Sequence, residues 1–236
     1  MPERSQQILD LQAHDLEIGR LTRRIEQIDA ALADTIKERA ADRAVRQAQS
    51  ALLARQREQR DLEMELASVE ARIKTHEAQL YSGRGSPREL EALRRDVEHD
   101  RQRQGQLEEQ VLAAMEATEQ AQAEVQRIKA AAERVLAELA AERAQLAAER
   151  QQLQAQRDRH AQQRAALAAA LDPAALVLYE RLRQRMPDGI AAAEVVQNRC
   201  EGCRTTLPSA EVQQARRGDT LHQCSVCGRI LHVPHG

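Results

Sequence analysis

Leucine, isoleucine and valine return every seven residues along most of this chain, and the spacing predicts two long amphipathic helices that face each other. Leu11, Ile18, Ile25 and Leu32 form one line. Leu21 and Ile28 fill the companion position, which gives the two-line seam of a coiled coil. Val45, Leu52, Leu66, Ile73 and Leu80 form a further line, interrupted once at Gln59, with Leu62 and Val69 as companions. The two lines are out of phase. The slip falls between Ile36 and Val45, in the Ala/Arg/Asp-rich residues 38–44, and predicts a change of supercoiling or a weak point there. A second arm reads Leu90, Val97, Val111, Val125, Ala132, Leu139, Leu146, Leu153 and Leu167, with Leu93, Leu107, Ile128 and Val135 beside them, broken by Asp100, Gln104 and Thr118.

Between the arms lies Tyr81-Ser82-Gly83-Arg84-Gly85-Ser86-Pro87, the only short break between the two patterns. Pro87 suits the first turn of a helix and Ser86 suits its N-cap. So short a turn makes the arms antiparallel, which sets Leu80 beside Leu90, Ile73 beside Val97, and Ile8 and Leu11 near His160. Each arm then spans about 110 to 120 Å at 1.5 Å per residue. His14 and His76 fall on or near the seam and read as register-setting polar residues. The second arm ends at Leu171-Asp172-Pro173, where Asp172 caps a new helix through Leu176, Leu178, Tyr179, Leu182 and Met186, and Pro187-Asp188-Gly189 stops it. Residues 190–196 then read as an extended segment, residues 208–219 as a short helix with a glycine stop, and residues 229–233 as a closing strand.

Composition narrows the class. The 236 residues include two Tyr, no Phe and no Trp, too few aromatics for a large globular core, while abundant Ala, Leu, Gln, Glu and Arg suit long helices. The net charge of −2 is made of interspersed signs, so the chain as a whole is not a polyelectrolyte for nucleic acid or membrane. There is no apolar signal core and no run of 18 apolar residues, which predicts a cytoplasmic protein with no membrane partner. Neither a nucleophile constellation nor a phosphate-binding glycine loop is present. We therefore expect no enzyme and no small-molecule substrate.

All four cysteines lie near the C-terminus, as Cys200-Glu201-Gly202-Cys203 and Cys224-Ser225-Val226-Cys227 with 20 residues between the pairs. Two such knuckles supply four thiolates in the tetrahedral set that zinc prefers, so Cys200, Cys203, Cys224 and Cys227 are the expected ligands of one structural Zn2+. Four thiolates leave no open position for water or substrate, and the metal folds the ribbon without catalysing. Gly202 and Gly228 are expected to free the backbone around the sulfurs. Arg199, Arg204, Arg216, Arg217 and Arg229 form a modest basic set for a phosphate backbone; Arg199, Arg204 and Arg229, next to the cysteines, either face that backbone, offset the thiolate charge or are simply solvated. His222, His232 and His235 lie near a shell the cysteines already complete. At the turn between the arms, Tyr81 with Arg84 and Arg88 either packs across the turn or forms a partner-binding tip.

Taken together, Tyr81-Ser82-Gly83 with Pro87-Arg88-Glu89-Leu90, Leu107-Glu108 with Met115-Glu116, Leu178-Tyr179-Glu180-Arg181, and Cys200 to Cys203 with Cys224 to Leu231 resemble a bacterial family of coiled-coil hairpin proteins ending in a four-cysteine zinc ribbon. The resemblance covers essentially the whole chain, although the turn at Arg84-Gly85-Ser86 is shorter than the family's usual stretch. It implies a non-enzymatic adaptor, with some members associated with RNA, and with an alternative sigma factor or flagellar and secretion components. The expected fold is mainly α. An antiparallel coiled-coil hairpin occupies residues 1–171 with its turn near 81–87, a connecting helix residues 172–189, and the zinc ribbon residues 190–236. The expected partners are RNA or DNA at the ribbon and a second partner on the rod. The rival reading is a protein-only scaffold, or chaperone-like binder of client helices, using off-seam Leu53, Leu112 and Leu136.

Overall fold

The computed structural model describes residues 4–218 and 220–234; the expectations touching Asp219 and His235 lie outside them. Five helices and three strands follow in order: α1 (Arg4–Ala33), α2 (Ile36–Tyr81), α3 (Pro87–Ala170), α4 (Pro173–Arg185), β1 (Ala192–Val196), β2 (Arg199–Cys200), α5 (Ser209–Arg217) and β3 (Ile230–His232). The long helices form a hairpin and the strands a small C-terminal sheet, as the seven-residue pattern and the cysteine pairs require. No described helix is long and apolar enough to cross a membrane.

Local chemistry sets the helix ends. Ser86 and Glu89 form a reciprocal capping box at the start of α3: the Ser86 amide donates to Glu89 Oε2 at 2.7 Å and the Glu89 amide to Ser86 Oγ at 3.4 Å. Hydrogen bonding from Ser86 accordingly holds the Glu89 carboxyl below its usual range. Asp172 caps α4 by accepting from the Ala174 amide, with Pro173 in the first turn. Gly218, at φ 71°, ends α5 in the left-handed conformation. The first arm differs from expectation in one respect. It is two helices, broken at Asp34-Thr35, just before the segment in which the seam slips. Asp34 Oδ1 accepts from the Ile36 amide at 2.9 Å, a local bond that competes with helix continuation.

The chain divides into two compact units. One holds Asp34–Glu142, the other everything up to Ala33 together with everything from Arg143. In the first, α2 and α3 zip along a thin seam: Val69, Ile73 and Leu107 are buried together with Leu62 and Leu66 against them. Arg72 donates to Asp100 at 3.0 Å and Arg103 to Glu65 at 2.6 Å across it.

In the second unit, Arg24 forks onto both oxygens of Glu149, and Arg150 reaches Asp29, between α1 and α3. Here His14, not Ile8 or Leu11, meets His160. The register is displaced by about one helical turn, and Ile8 and Leu11 lie in an apolar cluster beyond the seam. They are fully buried with Leu171, Ala175, Tyr179, Leu182, Ala191, Ala192 and Ile230. This is the main core of the unit, and it joins α1 to α4, β1 and β3.

The sheet order is β2-β1-β3. β1 pairs antiparallel with β2, with Val195 opposite Cys200, and parallel with β3, with Ala192 opposite Ile230. The β1–β2 connection is the two-residue turn Gln197-Asn198, both at positive φ (50° and 58°), whose twist matches that of the strands it joins. A smaller core of Ala193, Val195, Leu207, Val212, Ala215, Leu231 and Val233 fills the ribbon around the cysteines.

Candidate metal centre

The four cysteine Sγ atoms lie within 4.8 Å of one another, with Cys200–Cys227 at 3.9 Å and Cys203–Cys224 at 3.8 Å. Ligands on a tetrahedron of Zn–S bonds about 2.3 Å long sit roughly 3.8 Å apart. The thiol set therefore fits one structural zinc ion, with two cysteines buried and two half-buried. No disulfide competes for the sulfurs among the described residues.

Each knuckle is built the same way. The amide of its first cysteine donates outward, Cys200 to Thr205 O at 3.0 Å and Cys224 to Arg229 O at 2.8 Å. The carbonyl of the same cysteine accepts from the residue four on, Arg204 at 2.6 Å and Gly228 at 2.8 Å. That fourth position is left-handed in both knuckles, φ 59° at Arg204 and 75° at Gly228. The Gly202 amide points at the Cys200 sulfur, as expected, but this needs no left-handed backbone. Gly202 is not in the left-handed region; it is glycine because a Cβ there would stand 2.5 Å from Arg229 Cδ and 3.1 Å from Ala193 Cβ. Burial raises the thiol pKa of Cys200 and Cys224, while hydrogen bonds from Thr205, hydroxyl first and amide second, lower that of Cys203. Zinc binding must therefore displace protons from the buried pair.

Arg229 has turned inward. It is 9% exposed, with Nε donating to Ile190 O at 2.9 Å, Nη1 to Gly202 O at 3.2 Å and Nη2 to Asp188. It also bonds Cys227, so of the roles open to it the guanidinium offsets thiolate charge and offers nothing to a phosphate backbone. Arg199, Arg204, Arg216 and Arg217 stay exposed; Arg199 shares its charge with Glu201 at 3.2 Å. Helix α5 is tied to the second knuckle by Glu211, which accepts from the amide and the hydroxyl of Ser225, each at 3.0 Å. His232 is buried and shares a hydrogen bond with Ser5 Oγ at 3.0 Å, while Nε2 of His222 bonds Thr220 at 3.2 Å, so neither is recruited to the thiol cluster.

Sequence reasoning missed what holds the ribbon in place. The Gln12 side chain acts as an extra strand residue against β1: Nε2 donates to Ala192 O at 3.0 Å and Oε1 accepts from the Ala192 amide at 2.8 Å. The Tyr179 hydroxyl donates to Asp15 Oδ2 at 2.8 Å, and Asp15 also takes Arg164 at 3.2 Å. Burial first, then the bond to Asp15, holds the Tyr179 phenol well above its ordinary range. A polar residue next to Leu11 in the seam, and one of only two tyrosines placed in a connecting helix, were the available signals.

Tyr81 does not pack across the turn. It is 90% exposed, because Leu80 and Leu90 take the inward positions on either side of the loop and leave residue 81 outside. Arg84 and Arg88 are exposed beside it.

Known proteins share both halves of this architecture. The model of a CT398-like coiled coil hairpin domain matches residues 11–187 and that of a C4-type zinc ribbon domain residues 199–231. Uncharacterized proteins of two Mycobacterium tuberculosis strains are 29% identical over 171 residues, 72% of this chain and 69% of theirs. The solved structure of CT398 from Chlamydia trachomatis covers 98% of both chains at a TM-score of 0.78 and 20% identity. A Mycobacterium smegmatis structure gives 0.68 at 24% identity, covering 98% of this chain and 99% of its own. These likenesses at low identity speak to the fold. With the hairpin model spanning most of its length and the ribbon model its cysteines, the chain belongs to the CT398-like coiled-coil hairpin family with a C-terminal C4-type zinc ribbon.

Proposed function

We propose that this protein is an adaptor without a reaction of its own, whose zinc-folded ribbon contacts a nucleic-acid backbone while the coiled-coil arms engage a second partner. A closed four-thiolate shell supports the first half, since it leaves the metal no position for substrate. The observation that carries the nucleic-acid reading is the surface set Arg199, Arg204, Arg216 and Arg217, which stays exposed on the ribbon while Arg229 is consumed internally. With only two tyrosines in the chain, and Tyr179 buried, no ladder of aromatic platforms is present to stack on bases. Binding is therefore electrostatic and steeply salt-dependent.

The test is fluorescence anisotropy of the zinc-loaded full chain with a 20-nucleotide single-stranded RNA and a 20-base-pair DNA over a salt series. Replacing Arg216 and Arg217 with alanine is expected to weaken binding and to reduce the salt slope by about 1 to 2, one for each phosphate no longer neutralised. Unchanged affinity for both polymers sinks the nucleic-acid reading. A protein-only scaffold for client helices is then favoured, on the exposure of off-seam Leu53, Leu112 and Leu136.

A further inference from the structure

Away from the ribbon, two imidazoles meet in the seam between α1 and α3. His14 Nδ1 and His160 Nδ1 are 2.9 Å apart, with ring centroids at 5.1 Å and ring planes inclined by 53°. Both residues are half-buried, so water reaches the pair, and both belong to the same compact unit.

With nothing between the rings, one must carry its proton on Nδ1 and the other must accept, so the two histidines hold different tautomers. No other contact imposes that difference. Neither Nε2 has a hydrogen-bond partner among the described residues, and neither is sealed from water. Both rings can therefore carry the proton on Nε2, which leaves two Nδ1 lone pairs facing one gap. A neutral imidazole with a free lone pair is a ready metal ligand.

The gap has nearly the dimensions of a two-imidazole zinc site. Two imidazoles on one tetrahedral ion, with Zn–N about 2.05 Å, place their bonded nitrogens roughly 3.3 Å and their ring centroids roughly 5.2 Å apart. The centroids already stand at that separation, and a small tilt of each ring moves the nitrogens apart by the few tenths of an ångström still needed. Local charge decides nothing here: Glu17, one turn from His14, is paired with Arg20, and Asp15 with Arg164. No third His, Cys, Asp or Glu reaches the pair at ligand distance among the described residues, so water fills the remaining positions. Such an ion exchanges with solution, unlike one enclosed by four thiolates.

We propose that His14 and His160 form a second, exchangeable zinc site that clips α1 to α3. Zn2+ takes the place of the proton between the rings. That proton moves to Nε2 of its own ring, so two neutral imidazoles bind the ion with no net proton release. The clip lies two residues beyond Gln12, whose side chain pairs with β1, and it steadies the stretch of α1 that grips the ribbon.

The test starts from the full chain dialysed to one zinc per molecule, the zinc of the cysteines, with metal content read by atomic emission. Calorimetric titration with Zn2+ is expected to show one further equivalent, which a mild chelator removes while the first stays. His14→Gln and His160→Gln are each expected to weaken that equivalent at least tenfold, and exposed His99→Gln to leave it unchanged. Retention of the first zinc shows that each variant is folded. The unsubstituted chain supplies a readout that needs no variant: of its seven histidines, two should shift their Nδ1 nitrogen-15 resonances as the second equivalent binds. No second equivalent, one that both substitutions leave unmoved, one lost equally on His99→Gln, or shifts at Nε2 or at other histidines alone would each overturn the proposal.

Discussion

At the residue scale, the two knuckles separate two reasons for a glycine that sequence alone runs together. Gly228 is needed for conformation: its φ is +75° and nothing lies within 4 Å of where a Cβ would stand. Gly202 is needed for room, with Arg229 Cδ at 2.5 Å and Ala193 Cβ at 3.1 Å from that point. Gly228→Ala is thus expected to cost about 1 kcal/mol, the penalty of a left-handed alanine. Gly202→Ala costs more, about 1–3 kcal/mol of overpacking, because Arg229 must leave Asp188, Ile190 O and Cys227 to make way. Arg204 holds the conformation of Gly228 without being glycine, so Arg204→Gly relieves strain and should raise stability by up to about 1 kcal/mol. Melting temperatures of the zinc-saturated variants should fall in the order Arg204→Gly, parent, Gly228→Ala, Gly202→Ala. If Gly202→Ala melts with or above Gly228→Ala, crowding by Arg229 does not set the cost. The spacing of the cysteines was legible because ligand geometry demands it; the different needs of the two glycines were not, since they depend on which side chain folds over each knuckle.

At the scale of elements, periodicity located the helices and mislaid their joints. The seam's slip was visible between Ile36 and Val45, yet the break came at Asp34-Thr35, where a side-chain oxygen captures an amide and a count of apolar residues registers nothing. The β1–β2 hairpin was hidden for a related reason: its turn is Gln197-Asn198, without the glycine that usually marks positive φ. The pairing of α1 with α3 was displaced by about a turn, and the displacement brings two imidazoles together. His14 Nδ1 and His160 Nδ1 are 2.9 Å apart with ring centroids at 5.1 Å, so the nitrogens point at each other and one must donate while the other accepts. Replacing His14 alone by leucine leaves the His160 Nδ1 without its partner, and is expected to lower the melting temperature more than His14→Leu/His160→Leu, which removes both nitrogens. Equal melting temperatures of the two variants would show that the contact contributes nothing.

For the molecule as a whole, the question is what zinc holds together. The ribbon's cysteines close a core that contains Ala193, Val195, Leu207 and Leu231, and on the neighbouring residues of the same strands Ala192 and Ile230 pack with Ile8, Leu11 and Tyr179. β1 thus has one set of side chains in the metal-closed core and its backbone at Ala192 bonded to Gln12 of α1. β3 places buried His232 against Ser5. Loss of zinc should therefore release the strands and, with them, the first turns of α1 and the cover over α4. The unit of Asp34–Glu142 has a seam and ion pairs of its own that include no ribbon residue. Stripping the metal with a chelator is expected to speed amide hydrogen exchange in residues 190–234, in the first three turns of α1 and in α4. Exchange in the middle of α2 and its partner stretch of α3 should stay as slow as in the zinc-loaded protein. Far-ultraviolet circular dichroism should accordingly lose only a small share of its helical signal, because most helical residues lie in the long arms. Were exchange to accelerate equally along α2, folding of the arms would depend on the metal and the two units would be one cooperative structure. Were α1 to stay protected, the bonds from Gln12 and Ser5 would be dispensable, and the apolar contacts of Ile8 and Leu11 with α4 would suffice to hold that end.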